Sequence, residues 1–185
     1  VNLLPTGLED VLLIETARYG DHRGYFEECY NAEVFARAGL TQSFVQDNHS
    51  YSADAGTVRG LHYQRAPKAQ TKLVRVGVGA IYDVAVDIRL GSKTYGHWVG
   101  VILSESNGRQ LLVPAGFAHG FCTLVPGTHV YYKVDALYDP QLDRGILWSD
   151  PALGIDWPVA EPTLSAKDLE LPSLEQAEAA GELDG

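Results

Sequence analysis

"TVRGLHYQ" occupies residues 57–64, and how it is read decides the fold. Apolar and polar residues follow one another at strand spacing, yet Arg59, His62 and Gln64 stand close together around a glycine, Gly60. Alternate residues of a strand share a face, so His62, Gln64 and Gly60 are expected to look one way. Arg59 and Leu61 then look the other way, unless Gly60 marks a bulge. A histidine inside a strand is by default a packed, hydrogen-bonded core residue. His62 therefore gains meaning only from its surroundings.

On either side, "VLLIET", "SFVQDNHSYS", "KLVRVGVGAIYDVAVDIR", "HWVGVILSE", "RQLLVPAG", "AHGFCTLV" and "HVYYKVDALY" are rich in Val, Ile, Leu and Tyr. Gly, Pro, Asn, Asp or Ser interrupts them. Such a train of short strands without alternating helices predicts a sandwich or barrel, and 19 glycines can serve its turns and bulges. "NAEVFARAG" is the exception, a short helix that Asn31 could cap and Gly39 could end. Residues 169–185, polar and rich in Ala and Glu, are expected to form a C-terminal helix or a frayed tail. At 185 residues and 45% hydrophobic composition the chain suits one domain over 1–185 with one well-filled core.

Charge narrows the function. A net charge of −10 disfavours nucleic acid or an anionic membrane as partner, because both need a basic face. No stretch approaches the roughly 20 apolar residues of a membrane span, and a cytoplasmic location is expected. Two cysteines, Cys29 and Cys122, are too few for a disulfide framework and lack zinc spacing.

A second pattern lies in the spacing of polar residues. Five residues separate Gly56 from His62; Gln64 and Gln70 follow, and later Gly108, Pro114, Gly116 and His119 recur at similar intervals. This resembles the paired motifs of the cupin superfamily, all-β proteins built as an antiparallel β-barrel (jelly roll), here with short flanking helices. Cupin metal sites use further histidines and a glutamate. Glutamines at those positions are poor ligands for a divalent transition metal, so no metal is expected.

Beyond the fold, "DHRGYFEE" (21–28), "FVQDNHSYS" (44–52), "RGLHYQ" (59–64), "QTKLVRV" (70–76), "VPAGFAHGF" (113–121), "VYYKVDALYDP" (130–140), "DPALGIDWP" (150–158) and "LSAKD" (164–168) resemble the dTDP-4-dehydrorhamnose 3,5-epimerase family. The match runs in order over nearly the whole chain, and several blocks of this length are specific. The resemblance implies a dTDP-sugar substrate, dTDP-4-dehydro-6-deoxy-D-glucose, whose 4-ketone acidifies the protons on carbons 3 and 5. It implies His62 as base, Asp168 as its orienting partner, Tyr132 as acid on the opposite face, and Lys72, aided by His119, beside the enolate oxygen. No cofactor is needed.

By the same resemblance Arg23, Arg59 and Lys167 serve the diphosphate or sugar. Glu28, Gln46, Asp47 and Asn48 serve the nucleotide end, with Tyr138 stacking on the base, and Phe26 is a further substrate-binding position. Asp143 stands where members of the family tend to carry the longer Glu. A homodimer is implied. Of the two tyrosines in "VYYK", strand geometry lets only one enter the lumen, so Tyr131 is expected outside or at a subunit contact. Three alternatives stay open: an epimerase acting at a single carbon, a non-catalytic sugar-nucleotide cupin, and a ketoisomerase.

Overall fold

The structure, a computed structural model, describes residues 1–184. It begins with β1 (Asn2–Pro5), β2 (Leu12–Glu15), β3 (Arg18–Asp21), β4 (Gly24–Glu27), helix α1 (Ala32–Arg37), β5 (Gln46–Ser52), β6 (Val58–Gln64), β7 (Lys72–Val78) and β8 (Ala80–Asp87). It continues through β9 (Trp98–Ser104), β10 (Arg109–Val113), β11 (Phe117–Thr123), β12 (Thr128–Val134), β13 (Asp143–Gly145), α2 (Ala166–Leu169) and α3 (Leu174–Ala179). A six-stranded sheet, β1-β2-β10-β7-β12-β5, faces a five-stranded one, β13-β6-β11-β8-β9, while β3 and β4 form a separate hairpin. Every ladder in the two sheets is antiparallel, giving the cupin-type jelly roll.

Period-two alternation sorts the side chains into layers. Val74, Val76, Leu111, Val113 and Val130 from one sheet meet Ile81, Ala85, Leu103, Phe117 and Phe121 from the other, and these fill the space between the sheets. The outward residues are covered as well. Phe35 of α1 and Leu40 lie on Ile14, Leu73 and Leu112. Leu153, Leu174, Ala177 and Leu183 lie on Leu61, Val84, Val86 and Ala118. A one-residue slip of β6 would expose Leu61 and Tyr63, each worth about 1.5–3 kcal/mol when buried, so its register is fixed by packing.

The helix signal read at Asn31 operates. Asn31 caps α1, accepting from the N–H groups of Glu33 and Val34. At the C-terminus Ser173 and Gln176 close a reciprocal capping box on α3. Helix α3 spans only Leu174–Ala179 of this C-terminal stretch, and Leu174 and Ala177 anchor it in the core.

Candidate active site

One end of the space between the sheets is apolar; the other carries Lys72, Tyr132, His62 and His119 and opens into a cavity of about 640 Å³. The local cause is a bulge in β6. His119 pairs with His62 and Phe121 with Arg59, so one residue of β11 stands opposite two of β6, Gly60 and Leu61. The extra residue reverses the alternation, and Arg59 joins His62 on the cavity wall. Gly60 has φ +115°, and a Cβ there would come within 2.7 Å of the Gly120 Cα and the His119 carbonyl oxygen. Only glycine fits.

The bulge also seats a carboxylate. Residues 163–168 run beside the start of β6, where Thr57 bridges to Thr163 and the Val58 N–H donates to the Thr163 carbonyl. Ser165 then caps α2, accepting from the Asp168 N–H. Asp168 is buried; one oxygen lies 2.6 Å from His62 Nε2, and the Gly60 N–H donates to it. Burial alone would push the Asp168 carboxyl up, but the bonds from His62, Ser165 and Gly60 outweigh it and hold the group below its ordinary range. With Nε2 committed to Asp168, Nδ1 is the His62 nitrogen left to exchange a proton.

His62 stands on the five-stranded sheet, Tyr132 on the six-stranded one. Between them is Lys72, fully inward at the start of β7, its Nζ donating to the His62 carbonyl at 3.0 Å. Burial lowers the Lys72 pKa from 10.5 to about 8, against the opposing pull of Asp143 and Asp83. The Tyr132 hydroxyl is pushed up, chiefly by burial, with Arg59 acting the other way. His119 is held by Asp83, Nε2 to Oδ1 2.8 Å.

Around the rim, Arg59 donates to the Ser52 hydroxyl and the Tyr51 carbonyl. Gln46 and Asn48 bond to each other, and Gln46 also accepts from the Tyr138 N–H. Asp143 receives both the Tyr138 hydroxyl, at 3.1 Å, and the Lys167 ammonium, at 2.5 Å. The shorter acidic arm is thus engaged at the mouth.

Four of the residues expected at the site are elsewhere. Asp47 faces the outer side of β5 and pairs with Lys133 at 3.0 Å, as alternation with Gln46 and Asn48 requires. Arg23 and Phe26 belong to the β3–β4 hairpin, which joins neither large sheet, and Glu28 follows it; none lines this cavity. Arg23 is paired with Asp21, and Phe26 is 69% exposed. Gln64 also departs from its expected inward role. Its amide donates to the Lys68 and Leu137 carbonyls and accepts from the Asp139 N–H, clamping a loop. Conversely, Ser50, Phe121 and Leu164 line the cavity without having been singled out. Ser50 was within reach of the alternation Gln46, Asn48, Ser50; the others had no polar signal.

Known proteins carry the same framework. Residues 5–176 match the dTDP-4-dehydrorhamnose 3,5-epimerase family. The chain belongs to this family. A dTDP-4-dehydrorhamnose 3,5-epimerase of Shigella flexneri is 52% identical over 91% of this chain and 93% of its own. The crystal structure of the Bacillus anthracis 3,5-epimerase, with TDP and PPi bound, is 57% identical and covers 93% of this chain and 98% of that one, with a TM-score of 0.91. The Legionella pneumophila epimerase in complex with dTDP-4-keto-L-rhamnose is 45% identical, covers 99% and 97% of the two chains, and has a TM-score of 0.94.

Proposed function

We propose that this epimerase-family chain converts dTDP-4-dehydro-6-deoxy-D-glucose to dTDP-4-dehydro-L-rhamnose, inverting carbons 3 and 5 in turn. The observation that carries the reading is that His62 with Asp168 and Tyr132 stand on opposite sheets lining one cavity. A proton can leave one face of a ring and return to the other only with a base and an acid so arranged. His62 Nδ1 takes the proton alpha to the 4-ketone, and the electrons pass to the ketone oxygen as an enolate. Lys72 and His119 hold that oxygen. The Tyr132 hydroxyl then gives its proton to the far face of the same carbon, and solvent restores both groups before the second carbon reacts.

Arg59 and Lys167 suit the diphosphate, and Gln46, Asn48 and Tyr138, with Asp143 as their anchor, suit the nucleoside. Asp47, paired with Lys133 on the outer side, has no part in this reading. The protein works as a cytoplasmic homodimer. Arg23, Phe26 and Glu28 lie outside their own chain's cavity, and the hairpin exposes Tyr19, Tyr25 and Phe26 at 66%, 58% and 69%; a second copy of the chain would take up that surface.

The test is NMR of the protein with dTDP-4-dehydro-6-deoxy-D-glucose in deuterated water. Deuterium at both carbons with inversion at both is expected. Uptake and inversion at one carbon alone would make it a single-carbon epimerase, and no uptake at either would end the proposal.

A further inference from the structure

Strand β8 reads "AIYDVAVD", and Asp83 is a charged residue in the middle of an apolar run. It is fully buried, on the inner side with Ile81 and Ala85. Its Oδ1 receives His119 Nε2 at 2.8 Å, while its Oδ2 is buried without a partner among the described residues. A carboxylate in this position is costly unless a neighbouring positive charge compensates it. Two candidates are near: the His119 ring is bonded to it, and the Lys72 ammonium, tied to the carbonyl of His62, the cross-strand partner of His119, feels it through space.

The placement also repeats the catalytic pair beside it. His62 and His119 are cross-strand partners, each with Nε2 on an aspartate, one backed by α2 and the other by β8. Both rings therefore present Nδ1 to the cavity. We infer that Asp83 is the positioning residue of the oxyanion-binding end of the site, holding His119 as an imidazolium whose Nδ1–H donates to the ketone oxygen and supplying the buried negative charge against which Lys72 keeps its positive one. Asp83 does not line the cavity and acts only through these two groups. The other ionisable groups around Lys72 are His62 on β6, Tyr132 on β12, Asp143 on β13 and Asp168 on α2, with Arg59 and Lys167 at the rim. Of these, Asp143 is the other anion that supports the Lys72 charge, and it is already shared with Lys167 and Tyr138.

The inference rests on the epimerase reading for its consequence, but its geometry can be read without turnover. Asp83→Asn keeps the shape and an acceptor for His119 and removes only the charge. dTDP affinity should stay within about threefold, while deuterium uptake at the sugar carbons falls by ~10-fold or more, on the scale of a weakened oxyanion site. In the same variant, Lys72 followed by NMR of carbon-13-labelled lysine should titrate below its wild-type midpoint, and the alkaline limb of kcat/KM should move down with it. A loosened core would lower Tm and dTDP affinity without moving that limb. Unchanged Lys72 titration and unchanged uptake would overturn the inference. If Asp83→Asn does not fold, nitrogen-15 spectra of wild-type imidazoles decide it: His119 must carry a proton on Nε2, toward Asp83, and a second on Nδ1, toward the ketone oxygen, and a bare nitrogen at either place overturns the assignment. Failure of turnover in wild type with the expected Lys72 and His119 spectra would instead count against the epimerase reading alone.

Discussion

Tyr131 and Tyr132 are neighbours in sequence and opposites in space. Tyr132 packs against the inner core and lines the cavity, whereas Tyr131 lies flat on His49, centroids 4.4 Å apart, under the Arg75 guanidinium. Abstraction by His62 needs no acid, so Tyr132→Phe should keep solvent exchange on the original face but lose inversion by ~10²-fold or more. Tyr131→Phe should leave inversion nearly intact. Deuterium wash-in and product stereochemistry from one sample of each variant check this, and equal losses in both would remove Tyr132 from the acid role. Lys72 adds a pH signature. Its ammonium is the form that stabilises an enolate, and burial brings its pKa down to about 8. A kcat/KM profile, which reports the free enzyme, should therefore fall as pH rises through about 8, and Lys72→Arg should abolish that limb because guanidinium stays charged. A profile flat to pH 10 in wild type would deny the ammonium its part.

At the scale of elements, alternation was a sound guide wherever a strand is regular. It separates Gln46, Asn48 and Ser50 from Asp47, His49 and Tyr51 on β5, and Tyr132 from Tyr131 on β12. It could have excluded Asp47, which the family resemblance had included. At β6 alternation alone would turn Arg59 outward, and it is the exception left open at Gly60, a bulge, that the strand adopts; a period-two count flags the glycine but cannot say whether the extra residue is there. Gln64 misleads for a different reason: its position in the motif suggests the lumen, but loop carbonyls of Lys68 and Leu137 claim its amide. The short strands β1, β3, β4 and β13 left little trace, being only three or four residues long and set by the strands they pair with rather than by their own composition. The bulge makes a specific prediction. A Cβ on Gly60 meets backbone on the facing strand and sits at positive φ, so Gly60→Ala should cost ~3 kcal/mol or more of stability. The same change moves the N–H that donates to Asp168, so activity should fall further than the folded fraction does. Urea unfolding and activity on one preparation test both, and wild-type stability in the variant would show that the bulge can relax.

For the whole molecule the hairpin is decisive. Its root is firm: Arg18 bonds Glu27 at 2.8 Å and reaches the Glu105 and Ser106 carbonyls, while Tyr25 and Phe26 beyond it remain exposed. A rigid projection that presents an arginine and aromatic side chains, yet takes no part in its own cavity, suits exchange between two copies. Two defective chains then become informative. A His62→Ala chain has an intact hairpin and a dead cavity; an Arg23→Ala/Phe26→Ala chain has an intact cavity and a dead hairpin. Each homodimer should be poor, the first in kcat and the second mainly in KM. In a mixed dimer the intact cavity of the second chain receives the intact hairpin of the first, and the remaining site is doubly defective. Random pairing makes about half of the dimers mixed, each with one whole site of two, so about a quarter of the native sites should return. If each hairpin served its own cavity, mixing would restore none. Co-refolding the two variants and assaying at low substrate, with light scattering to count chains, distinguishes the outcomes: no recovery in a confirmed dimer would confine the hairpin to its own subunit, and a monomer of wild-type activity would leave it no part in catalysis across subunits at all.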